Sequence, residues 1–360
     1  MKIAFFHNVP TGGAKRVVFE QIKLLSKNHT VDLYTLDKKV DFLDFGTLPC
    51  QIFTYTFSKE NTLPGVLKRI TEDTTIFTRL KNLHQQIAQD IDSKNYDLVI
   101  AHPDFYTQAP FLLQFIKTKS IYFCEELLRQ VYEMQFKVPA NLSIANKLYE
   151  QNIRKIKKQI DKTNAQAANV IITTSDFVKK QILEAYNKNA FVCPLGVDTS
   201  IFKPDKQQKK HFLFVGMPDI STGLELLQGI SKKSFKVKKM IKIVDFSKGK
   251  YIKDQQLAKL YSQSLATLCL SKNEPFGLTA IESMACQTPV IALNQGGYTE
   301  TVVNERTGFL IEDNAEELLK ACKFFIEKPK RQQEMGLRGQ MMVENKFTWQ
   351  RHVAQLEKYF

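Results

Sequence analysis

What most limits the folds open to this chain is a repeated alternation. Short apolar bursts recur from end to end, separated by longer stretches with helical spacing. "KIAFFHNV" precedes "RVVFEQIKLLSK", then comes "TVDLYTL", and "YDLVIAH" follows a helical segment from about Leu63 to Asp92. "KSIYFCE", "NVIITTS" and "NAFVCPLGV" continue the series. A lysine-rich polar stretch, "PDKQQKK", interrupts it, and the pattern restarts with "HFLFVGM", "MIKIVDF", "ATLCLSK", "TPVIALN" and "TGFLIED". Short β-rich runs separated by helices predict βα units and mostly parallel sheets. The restart at Phe212 predicts a second such domain, with a linker near residues 200–210.

Hydrophobic residues make up 43% of the chain, enough for a sizeable core. No uncharged apolar run approaches the roughly 20 residues of a membrane span. The N-terminal apolar run is too short for a signal peptide and leads into Gly12-Gly13, so it reads as a first strand. Cys50, Cys124, Cys193, Cys269, Cys286 and Cys322 form no CxxC pair, and suit reduced thiols in a cytosolic protein. The six histidines form no metal-binding spacing. A net charge of +14 attracts phosphates, whether on nucleic acid, anionic lipid or small substrates. No helix-turn-helix, zinc-finger or RNP-type pattern accompanies it, so no nucleic-acid partner is expected.

In open α/β sheets, ligands bind at the carboxyl ends of strands. "HNVPTGG" directly follows the first strand, and Gly12 and Gly13 allow a tight turn and close backbone approach. "NEPFGLTAIESMACQ" follows the strand "ATLCLSK" in the second half. Pro275 disfavours helical geometry at Glu274 and keeps that carboxylate in the loop. Leu278, Ile281 and Ala285 then recur at helical spacing, so a helix starts near Gly277 or Leu278. Its first amides, from Phe276 to Thr279, lack internal partners, and Glu282 lies a little over one turn in. Amides for an anion and two carboxylates for hydroxyls are the parts of a phosphorylated-sugar site. An ordinary favourable glutamate near a helix N-terminus, worth about 0.3–1 kcal/mol, fits the same residues.

"EPFGLTAIESMACQTPVIALNQGGYTETVVNERTGFLI" resembles the signature region of the family 4 retaining glycosyltransferases. Glu274 and Glu282 match its Glu-x7-Glu motif, and Gly296, Gly297 and Glu300 match the Gly-Gly-x-x-Glu turn that follows. "NVPTGGAKRVVFEQIKLL", "NVIITTSDFVKKQI", "VCPLGVDTSIFKP", "YIKDQQLAKLYSQS" and "FTWQRHVAQLEKYF" are similar to further family segments, so the resemblance covers nearly the whole chain. It implies the GT-B fold, with two Rossmann-like domains facing each other across a cleft. Residues 1–202 would be the acceptor domain, 203–345 the donor domain, and 346–360 a helix returning to the N-terminal domain. The implied activity is retaining, metal-independent transfer of a hexose from a nucleotide diphosphate sugar to a glycan or lipid-linked acceptor, in glycan biosynthesis.

The resemblance assigns Glu274 to donor-sugar hydroxyls and Glu282 to the ribose. It assigns the backbone at Phe276, Gly277 and Leu278, with Thr279 beside them, to the sugar and diphosphate. Gly13, with Gly12, would close over the diphosphate. On the acceptor side, Glu125 stands where many relatives carry histidine, with Glu126 beside it; His102, ending the strand "YDLVIAH", is placed to face the crevice, and a lone histidine there is as often structural as functional. No cofactor and no metal are expected; the DxD pattern at Asp90–Asp92 reads as a solvated helix end.

The chain departs from the family at two cations. Met217 and Thr222 occupy positions where an arginine and a lysine usually contact the diphosphate. Lys272 is the first candidate replacement, with Lys248 and Lys250 behind it. The segment from Phe212 to Tyr261 also looks one βα unit short. These departures keep open a non-catalytic GT-B module that binds nucleotide, glycan or a partner enzyme, and more remotely a sugar-nucleotide epimerase. Finally, Leu63, Val66, Leu67, Ile70 and Phe77 mix with Lys68, Arg69, Arg79 and Lys81. Lys147, Arg154, Lys155, Lys157 and Lys158 crowd a second helix. Both stretches suit either a seat on an anionic membrane surface, hence a cytoplasmic protein peripheral at the inner face, or a core face with solvated lysines.

Overall fold

The computed structural model describes residues 1–36, 43–57, 65–133, 138, 142–205, 208–216, 221–246 and 252–360, without side chains at 65–74 and 231–232. Met217, Lys248, Lys250 and Leu63 lie outside these residues, as do the side chains of Val66, Leu67, Lys68, Arg69 and Ile70.

Two units form. The first comprises 1–173, 178–192 and 357–360, and the second 174–177 and 193–356. The boundary therefore falls at Val192/Cys193, ten residues before the expected one. Its cause is local. Val197 bridges to Thr348, Val197 N–H donates to the Phe347 carbonyl at 3.0 Å, and Cys193 Sγ lies 3.4 Å from His352 Nδ1. These contacts draw 193–197 and the helix Trp349–Leu356 into one body. Only the last four residues group with the first unit, rather than the whole segment 346–360.

Among the described residues of the first unit, seven strands lie in the order β3-β2-β1-β4-β5-β6-β7. They are β1 (Lys2–Asn8), β2 (Thr30–Thr35), β3 (Gln51–Thr54), β4 (Leu98–Asp104), β5 (Ser120–Cys124), β6 (Val170–Thr173) and β7 (Phe191–Val192). All neighbours pair in parallel. β1 and β4 are nearly or wholly buried along their length, as strands covered on both faces must be. The helix Gly65–Ser93 ends one residue past the expected Asp92. The strand expected over "NAFVCPLGV" shrinks to Phe191–Val192, because Pro194 cannot donate to a ladder and the chain there turns toward the Trp349 helix.

Several surface expectations change. Phe77 is buried in a cluster with Leu80, Phe111 and Ile153, so it serves the core and not a membrane face. Asp90 and Asp92 are not simply solvated. Asp90 accepts from Tyr55 and Lys94 at 2.8 and 2.7 Å, and Asp92 accepts from the amides of Lys117 and Thr118.

The second unit carries a five-stranded parallel sheet, ordered β12-β11-β10-β8-β9. Its strands are β8 (His211–Gly216), β9 (Ile241–Asp245), β10 (Ser264–Cys269), β11 (Val290–Leu293) and β12 (Gly308–Ile311). The chain leaves β8 toward β9 on one side and returns to β10 on the other. The carboxyl ends of β8 and β10 are thus a topological switch point, where open sheets leave a crevice. The equivalent point in the first unit lies between β1 and β4.

Candidate functional site

The loops that leave β8 and β10 meet at the switch point. The Lys272 amide donates to the Ser221 carbonyl at 2.7 Å, and a Cβ on Gly223 would lie 2.4 Å from Leu270 Cβ. Asn273 takes a left-handed φ of 51°, which turns the chain into Glu274-Pro275-Phe276-Gly277. Gly277, at φ 97°, then starts the helix Leu278–Ala285. Its carbonyl already accepts from the amides of Ala280 and Ile281. The amides of Leu278 and Thr279, in the first turn, have no intrahelical acceptor.

The Glu274 loop is held by its carbonyls. Gly297 N–H donates to Glu274 O at 2.8 Å, Ser175 Oγ to Pro275 O at 2.6 Å, and Thr301 Oγ1 to Phe276 O at 3.3 Å. The Gly-Gly turn is required by contact. A Cβ at Gly296 would sit 2.6 Å from Glu274 O, and one at Gly297 2.4 Å from Pro275 O. The carbonyls of Glu274, Pro275 and Phe276 are thus all engaged within the fold.

Glu282 is nearly buried, and the hydroxyl of fully buried Tyr261 donates to its Oε2 at 2.9 Å. Burial pushes the Tyr261 hydroxyl far above its ordinary pKa, and the Glu282 charge adds to that. Tyr298 packs under the loop. Burial raises its hydroxyl too, with the charge of Glu274 next in size. Glu300 accepts from the amides of Asp176 and Phe177, both at 2.9 Å, so the glutamate of the Gly-Gly-x-x-Glu pattern caps a helix start.

Lys272 lies on this loop, but its ammonium is 2.6 Å from Asp313 and 3.9 Å from Glu225. Its charge is already compensated. Thr222 precedes the helix Leu224–Lys233. Sequence reasoning passed over Tyr261, Asp313 and Ser175. Only the aromatic one turn before a strand, and an acid just after another, hint at them.

Gly12 and Gly13 lie at the carboxyl end of β1 in the first unit. A Cβ on Gly12 would meet nothing within 4 Å, so packing does not demand glycine there. His102 does not reach an open surface. β4 continues two residues beyond it, so His102 stays inside the ladder, fully buried between Phe5 and Phe123. Its Nε2 lies 2.8 Å from Gln21 Oε1, and burial lowers its pKa to about 3. Glu125 follows β5, with Oε1 3.6 Å from His102 Nδ1, and burial raises its pKa to about 8. Glu126 uses its carbonyl to accept from Gln108 Nε2 at 2.8 Å.

Among the described residues, no three His, Cys, Asp or Glu side chains converge as metal ligands would. No described helix is long and apolar enough to cross a membrane. A cavity of about 530 Å³, lined by Phe309, Phe324, Glu317 and Arg331, lies against β12 and does not include the Glu274 loop.

Residues 205–342 match the family described as glycosyl transferases group 1. A stretch of 106 residues is 39% identical to the mouse (Mus musculus) alpha-1,3/1,6-mannosyltransferase ALG2, covering 29% of this chain and 26% of that protein. The chain spans from under a fifth to less than half the length of the curated relatives it matches. Sucrose-phosphate synthase from Thermosynechococcus elongatus superposes with a TM-score of 0.75 at 18% identity, covering 99% of this chain and 98% of that one. HepE from Anabaena, solved with UDP and glucose, gives a TM-score of 0.71 at 16% identity over 100% and 99% of the two chains. At such identities the likeness is one of fold. Two Rossmann-like parallel-sheet units of this kind make the GT-B fold.

Proposed function

We propose, from the match of residues 205–342 to the glycosyl transferases group 1, that the chain transfers a hexose from a nucleoside diphosphate sugar. The observation that carries the reading is the Glu274–Thr279 segment. A loop clamped through its carbonyls offers a carboxylate and free helix amides at the switch point of the second sheet, with Glu282 one turn behind. Diphosphate oxygens suit the amides, and sugar and ribose hydroxyls suit the carboxylates.

In the proposed reaction the bond between the anomeric carbon and the diphosphate oxygen breaks, and one to the acceptor oxygen forms. The acceptor proton passes to the departing phosphate, which lies on the same face, so configuration is retained. The fixed amides stabilise charge growing on the diphosphate, without a metal in this reading. Glu274 holds the sugar, and Glu282 holds the ribose. The acceptor is a glycan or a lipid-linked sugar. A peripheral seat on an anionic membrane of the cytoplasm fits the helix Ile144–Ala167, where Ile144 and Leu148 are 78% and 56% exposed beside exposed Lys155.

A second reading, binding without turnover, is favoured by one observation. Thr222 carries no charge, and Lys272 is paired with Asp313, so the diphosphate lacks an uncommitted cation from either residue. Calorimetry with UDP, GDP and ADP, followed by nucleotide release from their sugars, separates the readings. Transfer predicts binding and release, with release lost in Glu274→Ala. Binding alone predicts affinity and no release.

A further inference from the structure

The two edges of the second sheet are finished differently. At β12 the outward-facing backbone is closed by the chain itself. The Leu310 amide donates to Asn304 Oδ1 at 2.9 Å, the Glu312 amide to Glu317 Oε2 at 2.8 Å, and Gly308 O accepts from the Glu305 amide at 2.8 Å. At the other edge, β9 is outermost and pairs with β8 alone among the described strands. Met240 O accepts from the Phe212 amide at 2.8 Å, which fixes the phase of that ladder. The peptide groups of Met240, Lys242 and Val244 therefore turn toward β8, and those of Ile241 and Ile243 turn outward. Among the described residues, nothing bonds to these outward groups.

The side chains around this edge are both apolar and basic. Ile243 is 46% exposed on β9 itself. Phe235, which opens the helix Phe235–Lys239 leading into β9, is 67% exposed, while Val237 is buried and seats that helix. Residues 226–244 hold six lysines and no acid, so no charge within the segment offsets them. Lys233 is paired with Glu316. Lys236, Lys238 and Lys242 are exposed and have no ion-pair partner among the described residues. Lys239 lies over the Phe235 ring at 4.4 Å. A lysine on an edge strand normally deters pairing. Here the deterrence is selective. A second copy of the chain would bring lysines against lysines, whereas an acidic strand would be attracted. A bilayer fits less well, because lipid would leave the Ile241 and Ile243 peptide groups without partners.

We infer that β9 and the helix before it form a docking surface for an acidic, extended segment of a partner protein, which adds as a strand beside β9. Its backbone takes the Ile241 and Ile243 peptide groups, its apolar side chains cover Ile243 and Phe235, and its carboxylates pair with Lys236, Lys238 and Lys242. The role goes beyond sugar transfer. The lysines of the helix lie at the amino end of β9, away from the carboxyl ends of the strands, where the Glu274 loop sits.

The test uses the full chain and a fluorescein-labelled octapeptide that alternates glutamate and valine. Its controls are an octapeptide alternating lysine and valine, vesicles of phosphatidylcholine with phosphatidylserine, and two forms of the acidic peptide N-methylated at alternate amides, at valine in one and at glutamate in the other. Anisotropy is expected to show saturable binding of the acidic peptide and none of the lysine peptide. N-methylation removes backbone donors and keeps the charge, so at least one methylated form should bind about tenfold more weakly. Lys236→Ala, Lys238→Ala and Lys242→Ala together should weaken binding by about tenfold, and Phe235→Ala and Ile243→Lys by about three- to tenfold each. Hydrogen exchange at the Ile243 amide should slow when the peptide is bound. No saturable binding of the acidic peptide, undiminished binding of both methylated forms, or undiminished binding to the triple lysine variant overturns the docking surface. Vesicle binding that depends on these lysines in a chain that ignores the peptide overturns it in favour of a membrane contact. A dimer in sedimentation that Ile243→Lys dissociates overturns it in favour of a second copy.

Discussion

Replacing Glu282 with alanine should weaken the protein in two separable ways. The Tyr261 hydroxyl is fully buried and donates to Glu282 Oε2 at 2.9 Å. Glu282→Ala strands that hydroxyl in a dry core, at a cost of about 1–3 kcal/mol of folding free energy. In the proposed role of Glu282 it also removes a charged acceptor for ribose. Hydrogen bonds to charged groups contribute about 1.5–3 kcal/mol, which is about 10- to 150-fold in Kd. Tyr261→Phe separates the terms, since it deletes the internal donor and leaves the carboxylate. It should cost about 1 kcal/mol of stability and change nucleotide affinity far less. Urea unfolding reads the first quantity, and calorimetry with UDP, GDP and ADP reads the second. If Glu282→Ala is folded at the assay temperature and binds nucleotide within about twofold of the wild type, Glu282 does not hold the ribose.

Gly297→Ala drives a methyl to 2.4 Å from Pro275 O, so it should cost about 1–3 kcal/mol in urea and lower nucleotide affinity by displacing the Glu274 loop; unchanged affinity would detach the turn from the site. Asp161 accepts from the Ala109 amide and Tyr186, yet burial raises its pKa to about 7. Folding therefore favours the protonated acid, and its contribution is full below about pH 4 and lost as pH rises through about 7. Asp161→Asn should gain Tm relative to the wild type across that window, and a pH-independent difference would refute the assignment. Lys155→Glu, Lys157→Glu and Lys158→Glu together should release the chain from anionic vesicles in sedimentation, and equal binding by wild type and variant would remove the membrane seat.

Much of the fold was readable because covered parallel strands must be continuous apolar runs. "KIAFFHNV", "ATLCLSK" and "TPVIALN" contain β1, β10 and β11, and Pro275 marks the helix start at Leu278. β3 escaped notice because Gln51–Thr54 is a mostly exposed edge strand with no apolar burst. The boundary at 192/193 escaped because it depends on 193–197 meeting residues more than 150 positions later. At the candidate site, the Glu274 loop and its helix were legible from local chemistry. The Asp313 partner of Lys272, the Ser175 hydroxyl on Pro275 and the burial of His102 were not, because each depends on register between distant segments.

The most direct measurement is release of nucleoside diphosphate from a panel of UDP-, GDP- and ADP-sugars, read by chromatography with and without a methyl hexoside acceptor. The account predicts that at least one sugar nucleotide is consumed, that the acceptor gains a hexose in the donor's anomeric configuration, and that Glu274→Ala abolishes both. Nucleotide binding without consumption of any donor, or consumption that survives Glu274→Ala undiminished, would contradict it.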